Sequence, residues 1–173
     1  ARVLAELGER LLELAQLARR YGIGLTIDAE ETDRLELSLD LIFQVLAEPS
    51  LSGWNGFGIV VQAYQKRAPF VIDYIAHMAA KLDRRIPVRL VKGAYWDAEI
   101  KRAQMDGQAG YPLFTRKQNT DVSYLANARR LLDAGNAIYP MFATHNAQTI
   151  ATVHRMARAM RGRRDFEFQK LHG

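Results

Sequence analysis

The feature that most restricts this chain is an alternation. Short apolar, β-branched runs recur at 25–28, 57–64, 87–93, 137–144 and 166–171, and the stretches between them carry apolar residues three and four apart. The runs are long enough for buried strands, and the intervening stretches read as amphipathic helices. A helix over 3–20 presents Val3, Leu4, Leu7, Leu11, Leu14 and Leu17 with Ala18, and Gly22 and Gly24 stop it. Thr32 or Asp33 is placed to cap a helix carrying Leu35, Leu39, Ile42, Phe43 and Leu46, which ends before Pro49. Further helices are expected over 68–82 and 97–105, then from a Thr120 or Asp121 cap through Val122, Leu125, Ala128, Leu131 and Leu132, and through Ile150, Val153 and Met156 to Arg161. Such alternation means a parallel sheet with right-handed crossovers. Two architectures satisfy it, a doubly wound open sheet and a (β/α)8 barrel. The first expects a glycine fingerprint after its opening strand, and Asp28-Ala29-Glu30-Glu31 is nothing of the kind. The second needs at least about 200 residues, so 173 residues make only part of one.

Length and composition suit one soluble domain over 1–173 with a substantial core. With no cysteine, disulfides and thiolate metal sites are excluded, which suits a reducing compartment. No apolar run approaches a membrane span. Both ends look cut. The net charge of +5 is a moderate excess whose densest part is the five arginines Arg155, Arg158, Arg161, Arg163 and Arg164. Aromatic interleaving and nucleic-acid motifs are absent there, so the stretch reads as a solvated helix face, with no nucleic acid expected on this segment.

The strands carry an anomaly. In a strand alternate residues share a face, and each predicted strand sets a polar group near its C-terminal end: Asp28 with Thr26, then Gln62, Arg89, Thr144 and Gln169. Parallel α/β folds keep their sites at that edge. Arg89 matters most, since it stays protonated and needs an anion or several acceptors when buried. Read jointly, these groups are a polar floor for a bound molecule. Singly, each has a blander reading: Asp28 as a helix cap, Gln62 satisfying loop backbone, Arg89 paired with Asp28 or Glu30. Lys92 suggests a second chemistry, a Schiff base with a carbonyl substrate as in an aldolase-type lyase. Parity sends it outward, toward the helices. Of His77, His145, His154 and His172 none pairs at ligand spacing, so no metal site is expected. His145 follows a strand end and is placed to meet a ligand. Thr115-Arg116-Lys117, after a glycine-rich loop, and Lys170 offer cations and a hydroxyl suited to a pyrophosphate.

Six stretches carry a resemblance. They are Thr26-Ile27-Asp28-Ala29-Glu30-Glu31, Val61-Gln62-Ala63-Tyr64, Arg89-Leu90-Val91-Lys92-Gly93-Ala94-Tyr95-Trp96-Asp97, Thr115-Arg116-Lys117, Ala143-Thr144-His145-Asn146 and Phe166-Glu167-Phe168-Gln169-Lys170-Leu171-His172-Gly173. In order and spacing they resemble the proline dehydrogenase domains of bacterial proline utilization proteins, over essentially the whole chain. The resemblance implies a distorted (β/α)8 barrel, present here from its first helix to its sixth strand, with FAD held noncovalently at the strand C-termini. It implies oxidation of L-proline to Δ1-pyrroline-5-carboxylate by hydride transfer from ring C5 to flavin N5, with electrons passing to quinone. It also implies an aldehyde dehydrogenase domain in the same polypeptide, and a cytoplasmic protein working at the inner face of the membrane. Carried over by motif, Gln62 and Arg89 would bond the isoalloxazine, and Val91, Gly93, Ala94 and Trp96 would pack along it. Thr115 and Lys117 would hold the pyrophosphate and ribose region. Thr144, His145, Asn146, Gln169 and Leu171 would complete the cofactor wall, while Asp28, Arg89 and Tyr95 would serve catalysis, Asp28 and Tyr95 at the substrate.

Two elements of the family pocket have no counterpart here: a lysine on the first strand, and an arginine pair after the eighth that clamps the proline carboxylate. The segment alone is therefore expected to be inactive or nearly so, with two open sheet edges that invite association. A non-catalytic scaffold is the reading that this departure leaves open, beside the lysine lyase.

Overall fold

The structure, a computed structural model, describes residues 2–162 and 165–172. The expectations for the Val3 side chain, Arg163, Arg164 and Gly173 lie outside the described residues. Five parallel strands, β1 (Leu25–Ile27), β2 (Phe57–Gln62), β3 (Ile86–Val91), β4 (Ile138–Ala143) and β5 (Glu167–Gln169), lie side by side in the order β1-β2-β3-β4-β5. The helices are α1 (Arg2–Arg20), α2 (Leu35–Leu46), α3 (Ala68–Lys81), α4 (Trp96–Met105), α5 (Lys117–Asp133) and α6 (Ala147–Ala159). A doubly wound sheet reverses direction part-way. Here each strand adds to the same edge as the last, so the five strands are an incomplete (β/α)8 barrel.

The register sorts the two faces. Thr26 pairs with Gly58, Val60 with Arg89, and Arg89 with Met141, while Met141 pairs with Glu167. Paired residues point the same way, so one face carries Thr26, Gly58, Val60, Gln62, Pro87, Arg89, Val91, Tyr139, Met141, Ala143, Glu167 and Gln169. The opposite face, with Phe57, Ile59, Val61, Ile86, Val88, Leu90, Ile138 and Phe142, is buried against the helices and forms the core with Ile42, Ile72, Ile75, Tyr124, Leu131 and Val153. The helices thus cover one face of the sheet, and the polar groups sit on the lumen face.

Several boundaries move from expectation, each for a local reason. In α1 the buried residues are Gly8, Ala15 and Ala18, whereas Leu7, Leu14 and Leu17 are 45%, 55% and 46% exposed. Small residues let α1 approach α2 closely: a Cβ on Gly8 would lie 3.6 Å from the Gln44 side chain. The bulky leucines flank that contact instead of filling it. Gly22, at φ +65°, ends α1, with its N–H donating to Arg19 O and the Ile23 N–H to Ala18 O. Thr32 does not cap α2, because a 3₁₀ turn over Thr32–Arg34 precedes that helix and the Thr32 hydroxyl is bonded elsewhere. Likewise α5 starts at Lys117, earlier than a Thr120 or Asp121 cap would allow; Thr120 is buried on its inner face and Arg116 supplies the extended residue before it. Arg84, 9% exposed, donates to Leu46 O at 3.0 Å and Trp54 O at 2.8 Å, closing the C-terminus of α2. Arg155, Arg158 and Arg161 are exposed, as a solvated basic face requires.

Candidate functional site

Arg89 stands on the lumen face of the middle strand, and its guanidinium reaches both edges of the sheet. Nη1 donates to Asp28 Oδ1 at 2.9 Å, just past β1, and Nε donates to Gln169 Oε1 at 2.7 Å on β5. Each partner belongs to a strand two places away, about 10 Å on a flat sheet, so this face is concave. The network continues: Gln169 Nε2 donates to Glu167 Oε1 at 2.6 Å, and the Tyr139 hydroxyl donates to Glu167 Oε2 at 3.2 Å. Burial first, and then the Glu167 carboxylate, pushes the Tyr139 hydroxyl above its ordinary range. Asp28 is well exposed and Arg89 half-buried, so the ion pair opens to the lumen. Arg89 pairs with Asp28, one of the partners expected from sequence, and it stands at the centre of the polar groups on this face.

Gln62 organises the rim beside this floor. Its side chain is 3% exposed; Nε2 donates to Glu30 O at 2.8 Å, and Oε1 accepts from the Ala94 N–H at 3.2 Å. One amide therefore ties the loop after β1 to the loop after β3, and the second N–H of Nε2 is left for another acceptor. The same two loops meet again where the Tyr95 hydroxyl donates to Glu30 Oε2 at 2.8 Å, a bond that raises the Tyr95 hydroxyl above its usual range. Gly93 sits at φ +139°, and a Cβ there would fall 2.4 Å from the Tyr64 ring. Glycine is required on both counts. Burial pushes the Tyr64 hydroxyl up to about 12.

The remaining candidates form two further groups. Val91 is half-buried beside the exposed Gly93 and Ala94, and Trp96 Nε1 donates to Phe114 O at 3.0 Å, fastening α4 to the loop before α5. That loop is anchored by fully buried Leu113, the Lys66 N–H to Pro112 O, and the Phe114 N–H to Tyr64 O. It leads to Thr115, exposed at the entrance to α5, and Lys117, whose Nζ lies 3.0 Å from Asp121 Oδ2. Lys92 points outward as parity requires and pairs with the other oxygen of Asp121. Bonds from Lys92 first and Lys117 second hold the Asp121 carboxyl below its usual range. On the far side, His145 Nε2 accepts from the Leu171 N–H at 3.2 Å, joining the loops after β4 and β5.

Thr144 does not stand where parity put it, and Asn146 has a structural task of its own. Thr144 follows Ala143, a lumen residue, and so belongs to the opposite face; it is buried, and its Oγ1 accepts from the Asn146 N–H at 3.1 Å. It shapes the loop and is no part of the floor. Asn146 is the N-cap of α6, with Oδ1 accepting from the Thr149 N–H at 2.9 Å, which leaves its Nδ2 available.

Sequence reasoning passed over Glu30 as a partner of Tyr95, read Thr32 only as a helix cap, and missed Glu99 altogether. Glu99, 3% exposed on α4, accepts from the Thr32 N–H at 2.6 Å and the Thr32 hydroxyl at 2.7 Å. Its signal was available, since it precedes Ile100 and lies four residues before Ala103, on the side of α4 that apolar spacing buries.

With this geometry in hand, the chain can be set beside known proteins. The proline dehydrogenase family model matches residues 2–173. Bifunctional protein PutA of Escherichia coli (strain K12) is 59% identical over 172 residues, 99% of this chain and 13% of that protein. Bifunctional protein PutA of Rhizobium meliloti is 57% identical over 173 residues, 100% of this chain and 14% of that protein. A crystal structure of a Bradyrhizobium japonicum proline utilization A (PutA) mutant superimposes with a TM-score of 0.94 at 59% identity, covering 99% of this chain and 17% of that one. The chain thus spans about 13–14% of the length of these curated relatives. It belongs to the proline dehydrogenase family.

Proposed function

We propose that the complete protein containing this segment is an FAD-dependent proline dehydrogenase. It would oxidise L-proline to Δ1-pyrroline-5-carboxylate and pass electrons to quinone. The observation that carries this reading is the Arg89 guanidinium, held by Asp28 and Gln169 at the centre of a concave, polar lumen face. The floor suits a flavin. Arg89 has five N–H donors and two are engaged, so donors remain for a ring acceptor. Gln62 keeps a free N–H, and Val91, Gly93 and Ala94 offer little side-chain bulk beside it. Thr115 and Lys117 stand at the N-terminus of α5, where orphan N–H groups and the helix dipole favour a pyrophosphate. His145, Leu171 and the Asn146 amide close the other side, with Thr144 supporting the loop from behind.

A bound FAD would supply the hydride acceptor for C5 of proline. The residues of this chain bind and orient. Asp28 has a second carboxylate oxygen open to the lumen for the substrate's ammonium, and Tyr95, fixed by Glu30, offers its ring as a wall for the pyrrolidine. Arg89 supplies a fixed cation where negative charge accumulates, preorganised so that no solvent need rearrange. The proline carboxylate needs its own charge-assisted partner, which we assign to residues beyond this segment, together with a lysine on a preceding strand. We assign residues 1–173 to the flavin-binding part of one barrel domain whose first, seventh and eighth strands lie elsewhere in the polypeptide. The curated relatives are named bifunctional, and the second activity proposed here is an aldehyde dehydrogenase domain that oxidises the product. No helix among the described residues is long and apolar enough to cross a membrane; the proposal has the complete protein meet quinone peripherally, at the cytoplasmic face.

The test is optical. The complete protein is expected to purify yellow and to bleach when L-proline is added without oxygen. A protein that stays colourless after FAD is supplied, and gives no proline-dependent dye reduction, refutes the reading. Lysine chemistry is disfavoured because Lys92 is turned to α5 and bound by Asp121.

A further inference from the structure

Segment 28–31, between β1 and the 3₁₀ turn, has no regular structure, yet it carries the two carboxylates that face Arg89 and Tyr95. A loop of that kind needs an external template to hold one conformation. We infer that Glu99, acting through Thr32, is the positioning residue that sets this loop against α4 and so places Asp28 and Glu30 in the pocket. The inference rests on the function proposed above and names a residue outside the candidate site.

The geometry is a match of two repeats. Tyr95 caps α4, and Glu99 follows four residues later, within its first turn and a half; the Glu99 N–H donates to Tyr95 O at 2.9 Å. Residues four apart on a helix are displaced by about 6 Å along its axis. Glu30 and Thr32 are two apart on an extended segment, which spans about 6.6 Å. The helix therefore grips the loop at two commensurate points, Tyr95 on Glu30 and Glu99 on Thr32. A slip of one residue would break both contacts at once.

Glu99 is suited to that task. A carboxylate this buried is costly unless both oxygens are satisfied. Here Oε1 accepts from the Thr32 backbone and Oε2 from the Thr32 hydroxyl, so the carboxylate recognises threonine at this position by both of its local donors. Arg67 closes the back of the turn by donating to Thr32 O, and Arg102, on the same helix as Glu99, pairs with Asp33 at 2.7 Å. Every residue from Thr32 to Asp33 is thereby fixed from α4 or the start of α3, whereas Asp28 and Glu30 keep their carboxylates turned to Arg89 and Tyr95.

The experiment is steady-state kinetics of the full-length flavoprotein with proline and a dye acceptor. Glu99→Ala is expected to raise the KM for proline about tenfold, the scale of one lost charge-assisted contact, with kcat changed much less and flavin content and visible spectrum as in the wild type. Glu99→Gln can still accept from the Thr32 N–H while donating to the hydroxyl, so it should recover most of the wild-type KM. Thr32→Val, which keeps the backbone bond and loses only the hydroxyl, provides a milder variant should Glu99→Ala not accumulate; a KM rise of about threefold is expected. A wild-type KM in Glu99→Ala or Thr32→Val overturns the inference. So does a joint fall of flavin content and kcat that Glu99→Gln does not repair, since that marks a purely structural role. A wild-type protein that fails to bleach with proline refutes the proposed function instead, and leaves a distinguishable record.

Discussion

Replacing Gln62 by leucine tests the bridge that joins the loops on either side of the pocket. Leucine nearly conserves the buried volume, so no large cavity forms, and the change falls on two hydrogen bonds. The Glu30 O bond at 2.8 Å is short and part-buried; the Ala94 N–H bond at 3.2 Å is longer, and Ala94 lies near solvent that can take it over. Net worth is about 0.5–1.5 kcal/mol for each such bond, with the Ala94 bond at the lower end, giving about 1–2 kcal/mol together. Since 1.4 kcal/mol is tenfold in an equilibrium, joint opening of the two loops that Gln62 bridges should become about 5 to 30 times more frequent. Hydrogen exchange on the full-length protein reads this directly, as faster exchange in peptides covering 28–32 and 92–96. Peptides from α3, where Ile75 and Ala79 are fully buried, should be unaffected. Unchanged exchange at Ala94 would refute the bridge. Uniform acceleration across α3 as well would mean that Gln62 supports the core rather than the loops.

Gly93→Ala should be costlier, by about 2–4 kcal/mol, because strain at φ +139° adds to a Cβ only 2.4 Å from the Tyr64 ring; a melting temperature and flavin content equal to the wild type would contradict this. Asp121, whose folded carboxyl lies below its ordinary value of 3.8, contributes stability present above that pH and lost as pH falls through the depressed folded value. Asp121→Asn should therefore flatten the acid limb of the stability profile, and an unchanged limb would remove Asp121 from the account. Lys92→Ala should keep proline turnover, since Lys92 faces α5; abolished turnover with borohydride-trappable substrate would reinstate lysine chemistry.

Much of the architecture was legible because the central strand β3 obeys period two so strictly. In β3 the residues Ile86, Val88 and Leu90 are buried while Pro87, Arg89 and Val91 are half-buried, and that alternation alone separates helix face from lumen. Parity correctly sent Lys92 outward and Arg89 inward. Thr144 was misplaced because the register between strands, which the sequence does not show, makes Ala143 the lumen residue, and Thr144 one position later falls on the opposite face. The α1 stripe misled for another reason: periodicity finds every leucine on an apolar side, but Gly8, Ala15 and Ala18 decide where a helix can come close. Capping residues were misassigned where a competing partner claimed the hydroxyl, as Glu99 claims Thr32. Apolar spacing places Glu99 on the buried side of α4, but its partner was not legible: Thr32 is 67 residues away in sequence, and no local pattern encodes a contact of that separation.

The reduction potential of the bound flavin probes Arg89 most directly. Removing a cation that faces the ring destabilises the reduced form; at about 1.5–3 kcal/mol for a charge-assisted bond, and 1.4 kcal/mol per 30 mV for two electrons, the Arg89→Met holoprotein should have a potential about 30–60 mV lower than the wild type. A potential that stays the same or rises would mean that Arg89 does not face the flavin.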